Sequence, residues 1–213
     1  MSTLALTLAP PRSRTAARLA FEAALALAGS LLIAGLAQVS IHLPFTPVPI
    51  TGQTLGVLLV GASYGPRLGT VTVLLYLATA VLGLPVLAPD ADGSHAGGLE
   101  VLRALSATGG YLWGFVLAAG LVGWLARRGW DRTLRSAIGA MLFGSVVIYA
   151  VGVPWLMKAA SLPLEQGLEL GLYPFVIGDL LKLLAAAGLL PLAWAVMDRL
   201  RPRDEGRPGD GEV

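Results

Sequence analysis

Leu172-Tyr173-Pro174-Phe175-Val176-Ile177-Gly178-Asp179-Leu180-Leu181-Lys182 opens an apolar stretch that runs on to Met197, and Asp179 and Lys182 are the charged residues inside it. A stretch of this length and hydropathy is long enough to cross a bilayer as a helix. Ionisable groups at bilayer depth are costly, so they face a cavity or one another and are functional candidates by default. Their three-residue spacing puts both side chains on one helix face, one turn apart, where they either hold a polar small molecule or pair with each other.

Working outward, the composition fixes the broad class. With 55% hydrophobic residues, 13% charged residues and a mean hydropathy of +0.74, the chain lies far from the soluble average and reads as an integral membrane protein. At ~20 residues per span plus connections, its 213 residues hold about six helices and leave no room for a soluble catalytic domain. Cysteine is absent, which excludes a disulfide framework and a thiolate metal site. No pattern in the sequence calls for a cofactor, a metal ion or nucleic acid.

Charge gaps and helix breakers place six spans: Arg14 to Ala37, Thr51 to Tyr64, Leu68 to Leu84, Thr108 to Ala126, Thr133 to Lys158 and Leu172 to Met197. The expected fold is therefore all-α, a polytopic six-helix membrane bundle. It forms a single domain over residues 1–213, with the embedded part from about 14 to 198 and a tail from 199 to 213. The second span is short: about 14 residues reach only ~21 Å, so it must end early or be continued by ordered loop. Before it, Ile41-His42-Leu43-Pro44-Phe45-Thr46-Pro47-Val48-Pro49-Ile50 carries three prolines, which forbid a regular helix and favour extended chain.

Arginine placement orients the bundle. Putting both termini in the cytoplasm places Arg12, Arg14, Arg18, Arg67, Arg127, Arg128, Arg132, Arg135, Arg199, Arg201, Arg203 and Arg207 inside. Only Arg103 and Lys158 then fall outside, among Asp90, Asp92, Glu100, Glu165 and Glu169. The expected location is the cell membrane, with multiple passes. Arg12 to Arg18 precede a stretch long enough to span and no clear cleavage site follows, so the first span is expected to be retained.

In that first span Ala16, Ala20, Ala24 and Ala28 repeat at four-residue spacing. A stripe of small residues lets another helix backbone approach closely, either within the bundle or from a separate membrane subunit. Further constellations shape a cavity on the external side. Thr51-Gly52-Gln53-Thr54 opens the short span; Thr51 reads as a cap, while the Gln53 amide needs a partner that both donates and accepts. Tyr76 and Thr79 share a face of the third span, Tyr111 lies between Gly110 and Gly114 at the start of the fourth, and Pro154-Trp155 is expected to kink and cap the end of the fifth. The connection Ala88 to Leu105 looks flexible enough to act as a gate.

These residues resemble the substrate-binding S-components of energy-coupling-factor transporters and, among them, the biotin-transporter family. The resemblance covers the chain from the first span to about Leu192. It rests on Pro47-Val48-Pro49-Ile50-Thr51-Gly52-Gln53-Thr54, Gly65-Pro66-Arg67-Leu68-Gly69, Gly83-Leu84-Pro85-Val86, Thr108-Gly109-Gly110-Tyr111, Gly152-Val153-Pro154-Trp155-Leu156 and Pro174 to Lys182. It implies a six-helix subunit that captures external biotin, with a biotin-contacting Asp and Lys matching Asp179 and Lys182. It also implies a transmembrane coupling subunit docking on the stripe of the first helix, and cytoplasmic ATPase subunits. Biotin's ureido ring offers two N–H donors and a carbonyl, which suit a buried carboxylate beside an ammonium. Gln53, Tyr76, Thr79, Tyr111 and Trp155 would complete the site, and Arg103 either meets the valerate carboxylate or is a solvated loop charge. Alternatives are an S-component for a different small vitamin and a small intramembrane enzyme; for the latter, His42 and His95 sit in no recognisable catalytic motif. The lysines follow Met157 and Leu181, so no phosphate-binding Gly-Lys-Ser/Thr loop exists and energy must come from another polypeptide.

Overall fold

The computed structural model describes residues 3–10, 15–90, 92–95, 97, 99–102 and 106–200. In chain order the elements are α1 (Leu4–Thr7), α2 (Thr15–Ala37), the two-residue strands β1 (Ser40–Ile41) and β2 (Ile50–Thr51), α3 (Gln53–Val81), a 3₁₀ turn (Leu99–Leu102), α4 (Gly109–Arg127), α5 (Leu134–Ala159), α6 (Leu164–Gly171) and α7 (Tyr173–Leu200). Five of these helices are long and apolar enough to cross a membrane.

The second and third predicted spans are joined in α3, but α3 is not straight. Gln53 Nε2 donates to the Tyr76 hydroxyl at 2.5 Å across 23 residues, whereas a straight helix would separate the two by ~34 Å. The reversal falls at Gly65, whose φ of +83° belongs to the left-handed side of the map that glycine tolerates, and Pro66 then begins the returning arm. Two arms, 53–64 and 66–81, therefore run antiparallel. With them the described chain makes six passes, as the charge gaps indicate. The arms cross α4 at close quarters: a Cβ on Gly123 would stand 2.5 Å from the Gly65 carbonyl carbon, so the backbones meet with no room for a side chain.

α4 is the centre of the bundle, packed on α3 and α5. Buried residues make up 67% of its apolar window, against 22% for α2 and 28% for α7, whose leucine-rich outer faces suit contact with lipid. α2 leans on α3 through Ala26, Gly29, Ser30, Ile33 and Ala37, while α7 packs on α5 and α3.

Three connections gather at one end of the bundle and roof it. β1 pairs antiparallel with β2, Ser40 opposite Thr51, so the Pro-rich segment is the ordered turn of a hairpin that continues the short arm. Gln38 Nε2 donates to Leu87 O at 3.2 Å, His42 Nε2 lies 2.9 Å from Pro89 O, and His95 Nδ1 lies 3.1 Å from Leu87 O. The described part of the Ala88 to Leu105 connection is thus tied back on itself and to the hairpin. Asp92 accepts from the Ser94 amide at 2.9 Å and its hydroxyl at 2.7 Å, which holds its carboxyl below the usual carboxylate range. The third roof element, α6, is a short helix in a connection where the sequence offered no span.

At the opposite, arginine-rich end, Trp194 Nε1 donates to Asp131 Oδ2 at 2.6 Å and the Arg132 guanidinium stacks over the Trp194 ring at 3.3 Å. Asp131, in the turn between α4 and α5, is 1% exposed; burial raises its carboxyl above the usual range. This corner pins the far end of α7. α1, which the sequence reading did not anticipate, packs on α3 at the same end, where Thr3 lies beside Gly65.

Candidate binding site

Asp179 is 8% exposed on α7 and faces the cavity with three donors around it. Lys182 Nζ donates to Oδ1 at 2.8 Å, Thr54 Oγ1 donates to the same oxygen at 3.4 Å, and the Tyr149 hydroxyl makes a short hydrogen bond to Oδ2. α7 supplies the ion pair by its i, i+3 spacing, the short arm of α3 supplies Thr54, and α5 supplies Tyr149. A carboxylate removed from water is tolerated where a cation and several hydrogen bonds satisfy it.

The cavity measures about 100 Å³ and lies beneath the roof. Pro47, Val48 and Pro49 of the hairpin and Leu87 and Ala88 of the next connection close it from above; Leu112, Phe115, Ile148 and Phe175 form its apolar walls. Its polar groups are few and convergent, as small-molecule sites generally are.

Gln53, at the start of α3, is held from both sides of its amide: Oε1 accepts from Thr51 Oγ1 at 3.0 Å and Nε2 donates to Tyr76. The Tyr76 hydroxyl in turn donates to Val86 O at 3.0 Å. Tyr111 donates to Gly171 O at 2.7 Å, and its ring meets that of Tyr149 edge to face at 6.3 Å. Gly152 makes room for the Tyr111 ring, since a Cβ there would come within 2.4 Å of it.

Of the residues singled out from the sequence, Asp179, Lys182, Gln53 and Tyr111 line this one cavity. Tyr76 is wholly buried behind Gln53 and acts on the cavity through it, while Thr79 donates to Tyr76 O at 2.7 Å, away from the wall. Trp155 also lies off the cavity: its Nε1 donates to Ser106 O at 2.9 Å and its side chain fills the space left by Gly110, clamping α5 to the start of α4. Arg103 lies outside the described residues. Thr51 and Thr54, read with Gln53 as one constellation, line it too, whereas Tyr149 and Phe175 line the cavity without having been assigned to it. The available signal for Tyr149 was a phenol in mid-span, whose hydroxyl needs a partner when buried.

Ala16, Ala20, Ala24 and Ala28 are all exposed on α2, and beside them Arg18 Nε pairs with Glu22 Oε1 at 2.9 Å. The stripe lies on the side of α2 away from its buried residues.

The whole bundle is similar to the crystal structure of an S-component for biotin from an ECF-type ABC transporter, with a TM-score of 0.69, 27% identity, and 88% of this chain and 95% of that one covered. Fold and site together define a multi-pass membrane protein of the S-component class. Residues 10–199 match the BioY family, and the chain belongs to that family. It is 36% identical to the biotin transporter BioY of Rhizobium etli over 69% of this chain and 78% of that protein. To the biotin transporter BioY of Thermotoga maritima it is also 36% identical, over 69% of this chain and 81% of the relative.

Proposed function

We propose that this chain is the biotin-binding uptake subunit of an energy-coupling-factor transporter, with the described cavity as the biotin site. The observation that carries this assignment is Asp179. It is a buried carboxylate, neutralised by Lys182 and oriented by Tyr149 and Thr54, at the wall of an otherwise apolar cavity. A cyclic urea with two N–H donors and an apolar thioether ring is the complementary ligand, the urea on the carboxylate and the ring against Phe115, Ile148 and Phe175. Gln53, fixed by Thr51 and Tyr76, offers a second polar contact across the cavity.

The arginine-rich end faces the cytoplasm and the roofed end faces outward, with both termini inside. Ligand enters under the hairpin and the Leu87 to Pro89 segment. With no phosphate-binding loop in the sequence, delivery inward draws on cytoplasmic ATPase subunits through a transmembrane coupling subunit that docks on the exposed alanines of α2. Calorimetric titration of biotin into detergent-purified protein, run beside Asp179→Asn, tests the site. Tight binding lost on substitution is the expected result. A folded wild-type protein that binds another vitamin from a panel and not biotin would replace the ligand.

A further inference from the structure

An ionised carboxylate offers about four acceptor positions. On Asp179, Lys182 and Thr54 occupy Oδ1 and Tyr149 occupies one position on Oδ2. One position on Oδ2 remains for a ligand. Lys182 at 2.8 Å already balances the charge, so what faces the cavity is a discharged acceptor rather than a free anion. A neutral N–H donor can use it. A cationic donor would have to share the carboxylate with an ammonium one helical turn away, and like charges in a poorly hydrated site repel strongly.

The Tyr149 hydroxyl is not free to withdraw. Its ring is held edge to face by Tyr111, and Tyr111 is fixed by its bond to Gly171 O and by the space that Gly152 leaves. Removing the Tyr149 hydroxyl would return an acceptor position to the carboxylate and leave Oδ2 electron-rich.

We propose that Tyr149 is a specificity-determining residue: by filling one acceptor position of the Asp179 carboxylate that Lys182 neutralises, it restricts the site to neutral cyclic ureas and rejects cationic, guanidinium-type rings of the same shape. The inference rests on the reading of the cavity as the biotin site.

The test compares biotin with 2-iminobiotin, in which an imine replaces the ureido oxygen and the ring is a guanidinium cation at neutral pH. Tyr149→Phe keeps the ring and its contact with Tyr111 and removes only the donor. Binding of both ligands is measured by calorimetry for the wild type and the variant. The expected result is that the wild-type preference for biotin narrows by about tenfold or more in Tyr149→Phe, which is about 1.4 kcal/mol of discrimination. A purely structural Tyr149 would weaken both ligands alike and leave the ratio unchanged, which overturns the inference. If Tyr149→Phe does not fold, Tyr111→Leu removes the ring that supports Tyr149 and should narrow the ratio in the same direction; an unchanged ratio there also overturns it. Folded wild-type protein that binds no biotin sinks the site assignment and this inference with it, whereas an unchanged ratio in a biotin-binding protein sinks this inference alone.

Discussion

Thr46, in the turn of the Pro-rich hairpin, donates its hydroxyl hydrogen to the carbonyl oxygen of Leu170 at 2.6 Å. This single bond joins two roof elements that are 124 residues apart in sequence. It also fixes the hairpin, because the Val48 amide donates back to Thr46 Oγ1 at 3.2 Å and Val48 and its proline neighbours close the cavity. Thr46→Val keeps the shape and removes the hydroxyl. A net hydrogen bond contributes ~1 kcal/mol, or roughly a fivefold change in a rate or equilibrium constant. Biotin should still bind Thr46→Val, but leave roughly fivefold faster in a stopped-flow displacement experiment. An unchanged dissociation rate would show that the hairpin is not part of the exit path.

The ion pair makes a prediction that separates stability from binding. Lys182→Met leaves the Asp179 carboxylate, about nine-tenths buried, with hydroxyl donors but no cation. Breaking a hydrogen bond to a charged group in such a setting costs about 1.5–3 kcal/mol, so the ligand-free variant should melt several degrees lower in detergent. Adding Asp179→Asn removes the stranded charge and should recover most of that loss. Binding should stay lost in both. A double variant that melts as low as Lys182→Met would mean the lysine stabilises through its packing rather than its charge.

Some of this architecture was legible in the chain for clear physical reasons, and some was hidden for equally clear ones. Asp179 and Lys182 stood out because charge inside an apolar span has no bland surroundings to disappear into. The six passes followed from charge gaps, although Gly65 and Pro66 join the second and third so tightly that they form one element with a reversal, not two helices with a loop. α6 stayed hidden because eight residues that include two acids and two glycines are too short and too polar to be read as a span. Tyr149 was hidden because a tyrosine in a membrane helix reads alike whether it meets lipid headgroups, core or a carboxylate. Tyr76 and Trp155 show the converse. Both looked suited to a ligand, yet Tyr76 reaches Gln53 and Val86 and Trp155 reaches Ser106, contacts that depend on how helices far apart in sequence are brought together.

Asp131 predicts an unusual pH response at the other end of the bundle. Burial raises its carboxyl above the unfolded value, while the Trp194 bond and the nearby Arg132 oppose that shift. In the window between the unfolded and folded values the folded state binds more protons, so this group's contribution is fully present below the unfolded value and is lost as pH rises through the folded one. The melting temperature of the wild type relative to Asp131→Asn should therefore increase as pH falls from neutral into the carboxylate range. A difference that shrinks on acidification would mean that Asp131 is held charged by Arg132 and that the ion pair outweighs desolvation.

The alanines of α2 make the last prediction. Ala16, Ala20, Ala24 and Ala28 form a stripe that four-residue spacing keeps on one helix face, and every one of them is exposed while the opposite face, with Ile33 and Ala37, is buried against the bundle. In lipid a smooth small-residue stripe gains nothing by staying bare, since helix association there depends on close backbone approach. The Arg18–Glu22 pair beside it keeps an acid satisfied within the same helix. Replacing Ala20 and Ala24 with Leu should leave biotin affinity unchanged, because neither residue approaches the cavity. Pull-down of the coupling subunit from membranes that contain the complete transporter should fall about tenfold or more. Loss of biotin binding with assembly intact would instead place the stripe in internal packing, and the coupling subunit would have to dock elsewhere.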